Sequence, residues 1–432
     1  MITVIILDTQ KTMVYYNCCK QHYKGENFMK QLVDFIHENW ENTIRFNQED
    51  EGNLIGLPKP YTVPSIEGHF QELYYWDTYF TNVGLILSDR LDLAKNNTEN
   101  IAFMINKYGY MPNGNRTYYL TRSQPPFFTL MVREIYEIEH DKEWLKEMYA
   151  AGVKEYDFWM NNRITDSGLC RYYGTVDEDM VSQRSHNFCK RIKIDCPEDY
   201  ESQFKIVENA LAVCESGWDC NSRFGLRNQE YNWVELNALL FGMEENLAFF
   251  ANELGLESDW QKKADDRKAL MNKLCWNEAF GMFADYNFVK KKMSDFVSCA
   301  SLYAMFTGLC TETQAAKTVK LLEKLEQTYG VAACEKRDDL MDLQWDYPHG
   351  WACLHHIIIS GLKRYGYNED AKRIAKKYCD TVERNFLKTN NVWEKYNVVT
   401  GEVSVTKENM IPTSMMGWSA GIYLYGLSQL EK

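Results

Sequence analysis

The feature that most constrains this chain is its succession of helical stripes. Apolar residues recur at the 3.6-residue period over 28–40, 101–108, 144–159, 232–254, 260–275, 352–363, 371–386 and 417–430, and long runs of alternating strand pattern are missing. A helix with one apolar face must bury it, and where no sheet is on offer the partner is another helix. The prediction is an all-α fold. The loops between stripes are rich in Gly, Pro, Asn and aromatic residues, and no low-complexity linker divides the chain. Its 432 residues exceed the usual domain size, but barrels and toroids run this long as one unit. We therefore expect a single domain over 1–432, with 1–25 a candidate N-terminal extension.

A unit of loop, helix, short turn and second helix echoes weakly along the sequence, with 276–286 as a connector between two such units. About six helical hairpins would close into a toroid with a pocket at its inner ends. The spacing is too irregular to fix that closure by itself.

Charge and cysteine usage narrow the partners. A formal charge of −13 repels phosphate backbones and anionic lipid surfaces, so neither nucleic acid nor a membrane is expected as a partner. The opening apolar run, Met1 to Leu7, is short, lacks a basic flank and is followed by Asp8. Thirteen scattered cysteines suit free thiols in a reducing compartment. These features lead us to expect a cytoplasmic protein. No metal or other cofactor is expected: His186 with Cys189, and His355 with His356, each lack a second ligand pair at zinc-site spacing.

Aromatic residues make up 14% of the chain, and in five runs they stand beside polar groups in a way that suits sugar binding. Residues 68–80 contain His69 and the pair Trp76-Asp77, a stacking face next to a hydroxyl acceptor; the same pair also reads as a buried helix start capped by Asp77. Residues 111–126 form a Pro- and Gly-marked loop crowded with hydrogen-bonding groups, among them Asn113, Arg122 and Gln124. In 215–224, Asp219 follows Trp218; a carboxyl held against an aromatic ring loses hydration, which suits a general acid. Residues 344–351 place Trp345 and Trp351 around Asp346, and 393–397 supply Glu394, a candidate base that also reads as a surface ion pair with Lys395.

Taken in order, these runs resemble those of the trehalase family of glycoside hydrolases: Tyr-Tyr-Trp-Asp at 74–77, Pro-Asn-Gly-Asn-Arg at 112–116 leading to Arg-Ser-Gln-Pro-Pro at 122–126, Ser-Gly-Trp-Asp at 216–219, Gln-Trp-Asp-Tyr-Pro-His-Gly-Trp at 344–351, and Glu-Lys-Tyr at 394–396, closed by Gly417-Trp418. The resemblance implies an (α/α)6 toroid without a metal that cleaves α,α-trehalose, a small disaccharide, to glucose. It implies inversion, with Asp219 as acid and Glu394 as base, the two roughly 6.5–9.5 Å apart around the attacking water. Sugar contacts are implied for Trp76, Asp77, Asn113, Arg122, Glu198 and Trp345, with His69, Gln124 and Trp418 at the same site.

Two departures bear on specificity. The family carries arginines where this chain has His69 and Cys196, and a Gly-rich lid where it has 399–410. An arginine fork donates in fixed geometry, whereas His titrates and Cys barely donates. Arg191 and Lys193 are candidates to restore the charge. The departures keep two alternatives open, an inverting hydrolase of another α-glucoside or of a glucosyl or mannosyl derivative, and a non-catalytic sugar-binding protein.

Overall fold

The structure is a computed structural model that describes residues 27–406, 413–414 and 417–430; the expected extension at 1–25 and part of the replaced lid, 407–410, lie outside them. Helices dominate. They are α1 (Asn27–Asn39), α2 (Tyr75–Leu87), α3 (Leu91–Tyr108), α4 (Phe128–Glu139), α5 (Lys142–Asn162), α6 (Glu178–Arg191), α7 (Tyr200–Glu215), α8 (Val234–Glu253) and α9 (Trp260–Leu274), followed by the short α10 (Tyr303–Thr307), α11 (Glu312–Thr318) and α12 (Leu322–Leu325), then α13 (Ala352–Arg364), α14 (Asn368–Thr389) and α15 (Gly417–Leu430).

Among the described residues six helices form an inner ring: α2 packs on α4, α4 on α8, α8 on α10, α10 on α13, α13 on α15, and α15 back on α2. Outer helices back this ring, with α3 against α5, α5 against α8, α9 against α8, and α14 against α1. This is the (α/α)6 toroid. The closing contact is tight because Gly84 on α2 faces Gly421 on α15, where a Cβ on either would collide with the opposite backbone.

Inner and outer helices differ in pattern for a physical reason. An outer helix such as α14 has one buried stripe, formed by Ala371, Ile374, Ala375, Tyr378, Cys379 and Val382, and shows in the sequence as a period. The inner α2 is buried on nearly every side, from Tyr75 to Ile86, so it has no polar face to alternate with. The sequence stripes miss α2, although they find the inner α8, α13 and α15, and they also miss α4, α6 and α7. The last two form a hairpin inserted between α5 and α8, with a small apolar cluster of its own built from Met180, Phe188, Cys189, Ile206, Val207 and Leu211.

Among the described residues the β structure is confined to short antiparallel pairs and one three-stranded sheet. One of them, 276–277 with 282–283, is the connector expected at 276–286. Another joins His349–Trp351 to Lys395–Asn397, with Trp351 opposite Lys395. It ties the fourth aromatic run to the fifth.

Candidate active site

The aromatic runs lead into inner helices at one end of the ring. Trp76 lies in the first turn of α2, Trp351 immediately before α13, and Trp418 in the first turn of α15. Their rings meet: Trp345 stacks on Trp351 (3.9 Å between centroids, 3° between planes) and on Trp218 (5.1 Å), and it tilts against Trp76 at 5.7 Å. Trp418 stands edge-on to Trp76 and Trp351. The five indoles come from four distant stretches of sequence and form one buried floor. Within it Trp345 Nε1 has no protein hydrogen-bond partner, nor has Nε of the buried Arg122 nearby in the second run. Buried donors left unpaired are costly, so both are groups a ligand could satisfy.

Three carboxylates converge over this floor. Asp77 is buried in the first turn of α2; burial, together with the charges of Glu394 and Asp219, pushes its pKa up to about 7 against the weaker opposing pull of its own backbone N–H. Glu394 is buried and accepts from Lys395 Nζ at 2.7 Å. Its backbone carbonyl accepts from Trp418 Nε1 and Ser419 Oγ, each at 3.3 Å. Asp219 is partly exposed, and its Oδ2 accepts from Arg191 Nη2 at 2.6 Å and Gln344 Nε2 at 3.1 Å. Arg191 on α6 thus meets the candidate acid itself, whereas Lys193 turns away to the carbonyls of Met341 and Asp342.

The backbone that carries Asp219 is held by a buried hub. Glu215, the last residue of α7, is fully buried and accepts from Arg163 Nε (2.8 Å) and Nη2 (2.7 Å), Ser123 N (2.8 Å) and Tyr173 N (2.7 Å). Two residues on, Gly217 turns with φ +73°, and a Cβ there would stand 2.6 Å from Trp76 Cε2. The turn therefore fixes Asp219 relative to the indole floor. Asp346 ties the fourth run to the third, accepting from the backbone N–H of Leu343 in its own loop at 2.9 Å and from that of Ser222 at 2.8 Å.

The other expected site residues divide into two groups. Asn113, Arg122 and Gln124 are buried: the Asn113 carbonyl accepts from Tyr75 N at 3.1 Å, the Arg122 guanidinium lies over the Tyr119 ring, and Gln124 Oε1 accepts from Trp76 N at 3.1 Å. Gln124 and Asn113 thus satisfy first-turn amides of α2 that the helix leaves unpaired. His69 and Glu198, by contrast, are exposed, His69 in the loop before α2 and Glu198 between α6 and α7; neither joins the buried cluster. The sequence reading missed Gln344 as a partner of Asp219 and Glu215 as the hub, although both stand inside quoted motifs. Among the described residues no group of three or more His, Cys, Asp or Glu side chains could hold a metal ion, and no helix is long and apolar enough to cross a membrane.

Comparison with known proteins agrees with this arrangement. Residues 8–431 match the sequence profile of trehalase. A periplasmic trehalase of Xanthomonas axonopodis pv. citri is 31% identical over 93% of this chain and 73% of its own length, and one from Xanthomonas campestris pv. campestris is 31% identical over 91% and 72%. Among solved structures, neutral trehalase Nth1 of Saccharomyces cerevisiae superposes with a TM-score of 0.73 at 28% identity, covering 92% of this chain and 80% of that one. A GH63 mannosylglycerate hydrolase of Thermus thermophilus shares the fold at 15% identity, with a TM-score of 0.65 over 91% and 99%. The periplasmic relatives overturn the cytoplasmic expectation, which rested on scattered cysteines and a short apolar start. No disulfide joins the described cysteines, but unpaired thiols do not specify a compartment. With a profile match over nearly its whole length and a closed double ring of helices around converging carboxylates, the chain belongs to the trehalase family of glycoside hydrolases.

Proposed function

We propose that this hydrolase cleaves α,α-trehalose with inversion, Asp219 acting as general acid and Glu394 as general base. The observation that carries the reading is the convergence of Asp219 and Glu394 on Asp77, which feels the charge of both although the three come from distant parts of the chain. In this mechanism the glucosyl ring lies on the indoles of Trp76 and Trp345, with Asp77 as a hydroxyl partner. Trp345 Nε1 and Arg122 Nε donate to its hydroxyls. Arg191 and Gln344 hold Oδ2 of Asp219, so Oδ1 is the oxygen that passes a proton to the glycosidic oxygen as the C1–O bond breaks. Glu394, steadied by Lys395, takes a proton from a water that attacks C1 from the opposite face. The glucosyl unit leaves as β-D-glucose.

The test is glucose release from trehalose, with the anomers of the first products read by proton NMR and with Asp219→Asn and Glu394→Gln as controls. Equal initial amounts of β- and α-glucose, the α from the departing unit, that both substitutions abolish support the assignment; α-glucose alone as the initial product refutes inversion. A second reading, hydrolysis of a different α-glucoside, is favoured by one observation: His69 and Glu198 are both exposed, which leaves fewer polar groups for a second sugar. Silence on trehalose, with turnover of another α-glucoside or α-mannoside, would establish it.

A further inference from the structure

A cavity of about 150 Å3 adjoins Asp219 on the side of the inserted hairpin. Arg191 and Asp219 form part of its wall, and most of the rest is apolar, including Phe188, Ile192, Ala210 and Val213 on the hairpin side and Leu343 opposite. One polar atom in the lining has no protein partner. Asn228 is 1% exposed, its amide nitrogen donates to Asn209 Oδ1 (2.9 Å) and the Gly225 carbonyl (2.8 Å), and its Oδ1 accepts nothing. Turning the amide over would only set two oxygens against each other at Asn209. The cavity is therefore a mostly apolar chamber whose polar wall is the Arg191–Asp219 ion pair together with the unpaired Asn228 Oδ1, and an apolar space of this size holds a six-carbon ring.

Its position gives it a chemical meaning that rests on the proposed function. When an acid protonates the glycosidic oxygen, the departing alcohol lies on the acid's side of the bond, so space bordered by Asp219 is space for the aglycone. The polar residues expected to hold a second sugar, His69 and Glu198, are exposed, and Cys196 stands where the family has an arginine. We propose that this cavity is an aglycone subsite for a compact apolar group, so that the enzyme hydrolyses α-glucosides of cyclic or branched aliphatic alcohols in addition to trehalose. The step is the same inverting hydrolysis. Water adds to C1 and loses its proton to Glu394, the C1–O electron pair stays on oxygen, Asp219 supplies that oxygen's proton, and the products are β-D-glucose and the free alcohol.

The test compares cyclohexylmethyl and methyl α-D-glucopyranosides. Both release primary alcohols of similar acidity, so their kcat/KM ratio reads aglycone binding and not leaving-group chemistry. α-D-Glucosyl fluoride, which needs no aglycone pocket, reports whether the glucosidase centre works at all. The expected ratio for the native protein is at least about tenfold, given that a single methylene in an apolar pocket is worth roughly 10–200-fold. Ala210→Phe, which fills the chamber, should bring the ratio towards one, and Leu226→Trp at the exposed rim repeats the comparison if the first variant does not fold. Fluoride turnover with a ratio near one, or with a high ratio that neither filled variant lowers, overturns the subsite while leaving the α-glucosidase reading intact. No turnover of the fluoride by the native protein overturns that reading, and the subsite falls with it.

Discussion

Replacing Gly217 with alanine tests whether the turn before Asp219 sets the catalytic geometry. Two costs arise. The backbone there has φ +73°, a left-handed conformation that costs an L-residue about 1–2 kcal/mol. The new methyl would stand 2.6 and 2.7 Å from Trp76 Cε2 and Cζ2, where relaxed carbon contacts are about 3.5–4.0 Å, so the indole must retreat by about 1 Å. It has nowhere to go: Trp76 is 2% exposed and flanked by Phe80, Trp345 and Trp418. Overpacking of this kind costs roughly 1–3 kcal/mol, and the two terms together give about 2–5 kcal/mol. A shift of that size at the glucosyl floor should also lower kcat/KM by on the order of a hundredfold. Gly109→Ala is the control, because Gly109 has φ +87° but open space where the Cβ would go. It carries the backbone cost alone. Denaturant midpoints followed by tryptophan fluorescence, with kcat/KM on the substrate, would measure both. A Gly217→Ala variant no less stable than Gly109→Ala, with activity within about twofold of native, would refute the claim that this turn positions Asp219 through Trp76.

Asp219→Asn and Glu394→Gln should each lower kcat by on the order of 10²–10⁴-fold, with far-UV circular dichroism checking that each variant is folded, Glu394→Gln above all because it leaves the buried Lys395 without its counter-charge. Glu215→Gln should destabilise the protein by roughly 3–5 kcal/mol in denaturant unfolding, because it leaves the buried Arg163 guanidinium without its counter-charge. Glu155, fully buried and hydrogen-bonded by the Tyr75 hydroxyl, has its pKa pushed up to about 8 by burial. A carboxyl raised in the folded state stabilises at low pH and loses that contribution as pH climbs through the folded value. The stability of the native protein relative to Glu155→Gln should therefore fall between about pH 4.3 and 8, by about 5 kcal/mol at about 1.36 kcal/mol per unit, and level off above; a flat difference across that range would contradict the burial argument.

How legible the molecule is in its sequence depends on where each residue sits. Outer helices such as α14 announce themselves because one face meets water. Inner α2 does not, since Tyr75 to Ile86 are all buried and no exposed face alternates with a buried one, and it was the aromatic motif, not any period, that marked the place. The motifs located Asp77, Asp219, Glu394 and Trp345 in the cluster because a motif is a local string and these residues stand in theirs. His69 and Glu198 stand exposed and outside the cluster, because their exposure is decided by how two loops pack. Gln344 and Glu215 stood in plain view, but their partners, Asp219 and Arg163, lie far away in the chain, and pairings at that range are set only when the ring is closed. The compartment was misjudged for a different reason: cysteine spacing records what a fold tolerates, not where the chain resides.

The contact between α2 and α15 has a consequence for synthesis. Asp77 and Glu394 lie more than 300 residues apart, and at about 5–20 residues per second a ribosome needs roughly 15–60 s to travel from one to the other. During that interval α2, buried on almost every side in the closed ring, has emerged while its neighbour across the glycine seam does not yet exist. The nascent chain can pack α3 and α4 against it early, but the side that meets α15 stays uncovered for tens of seconds.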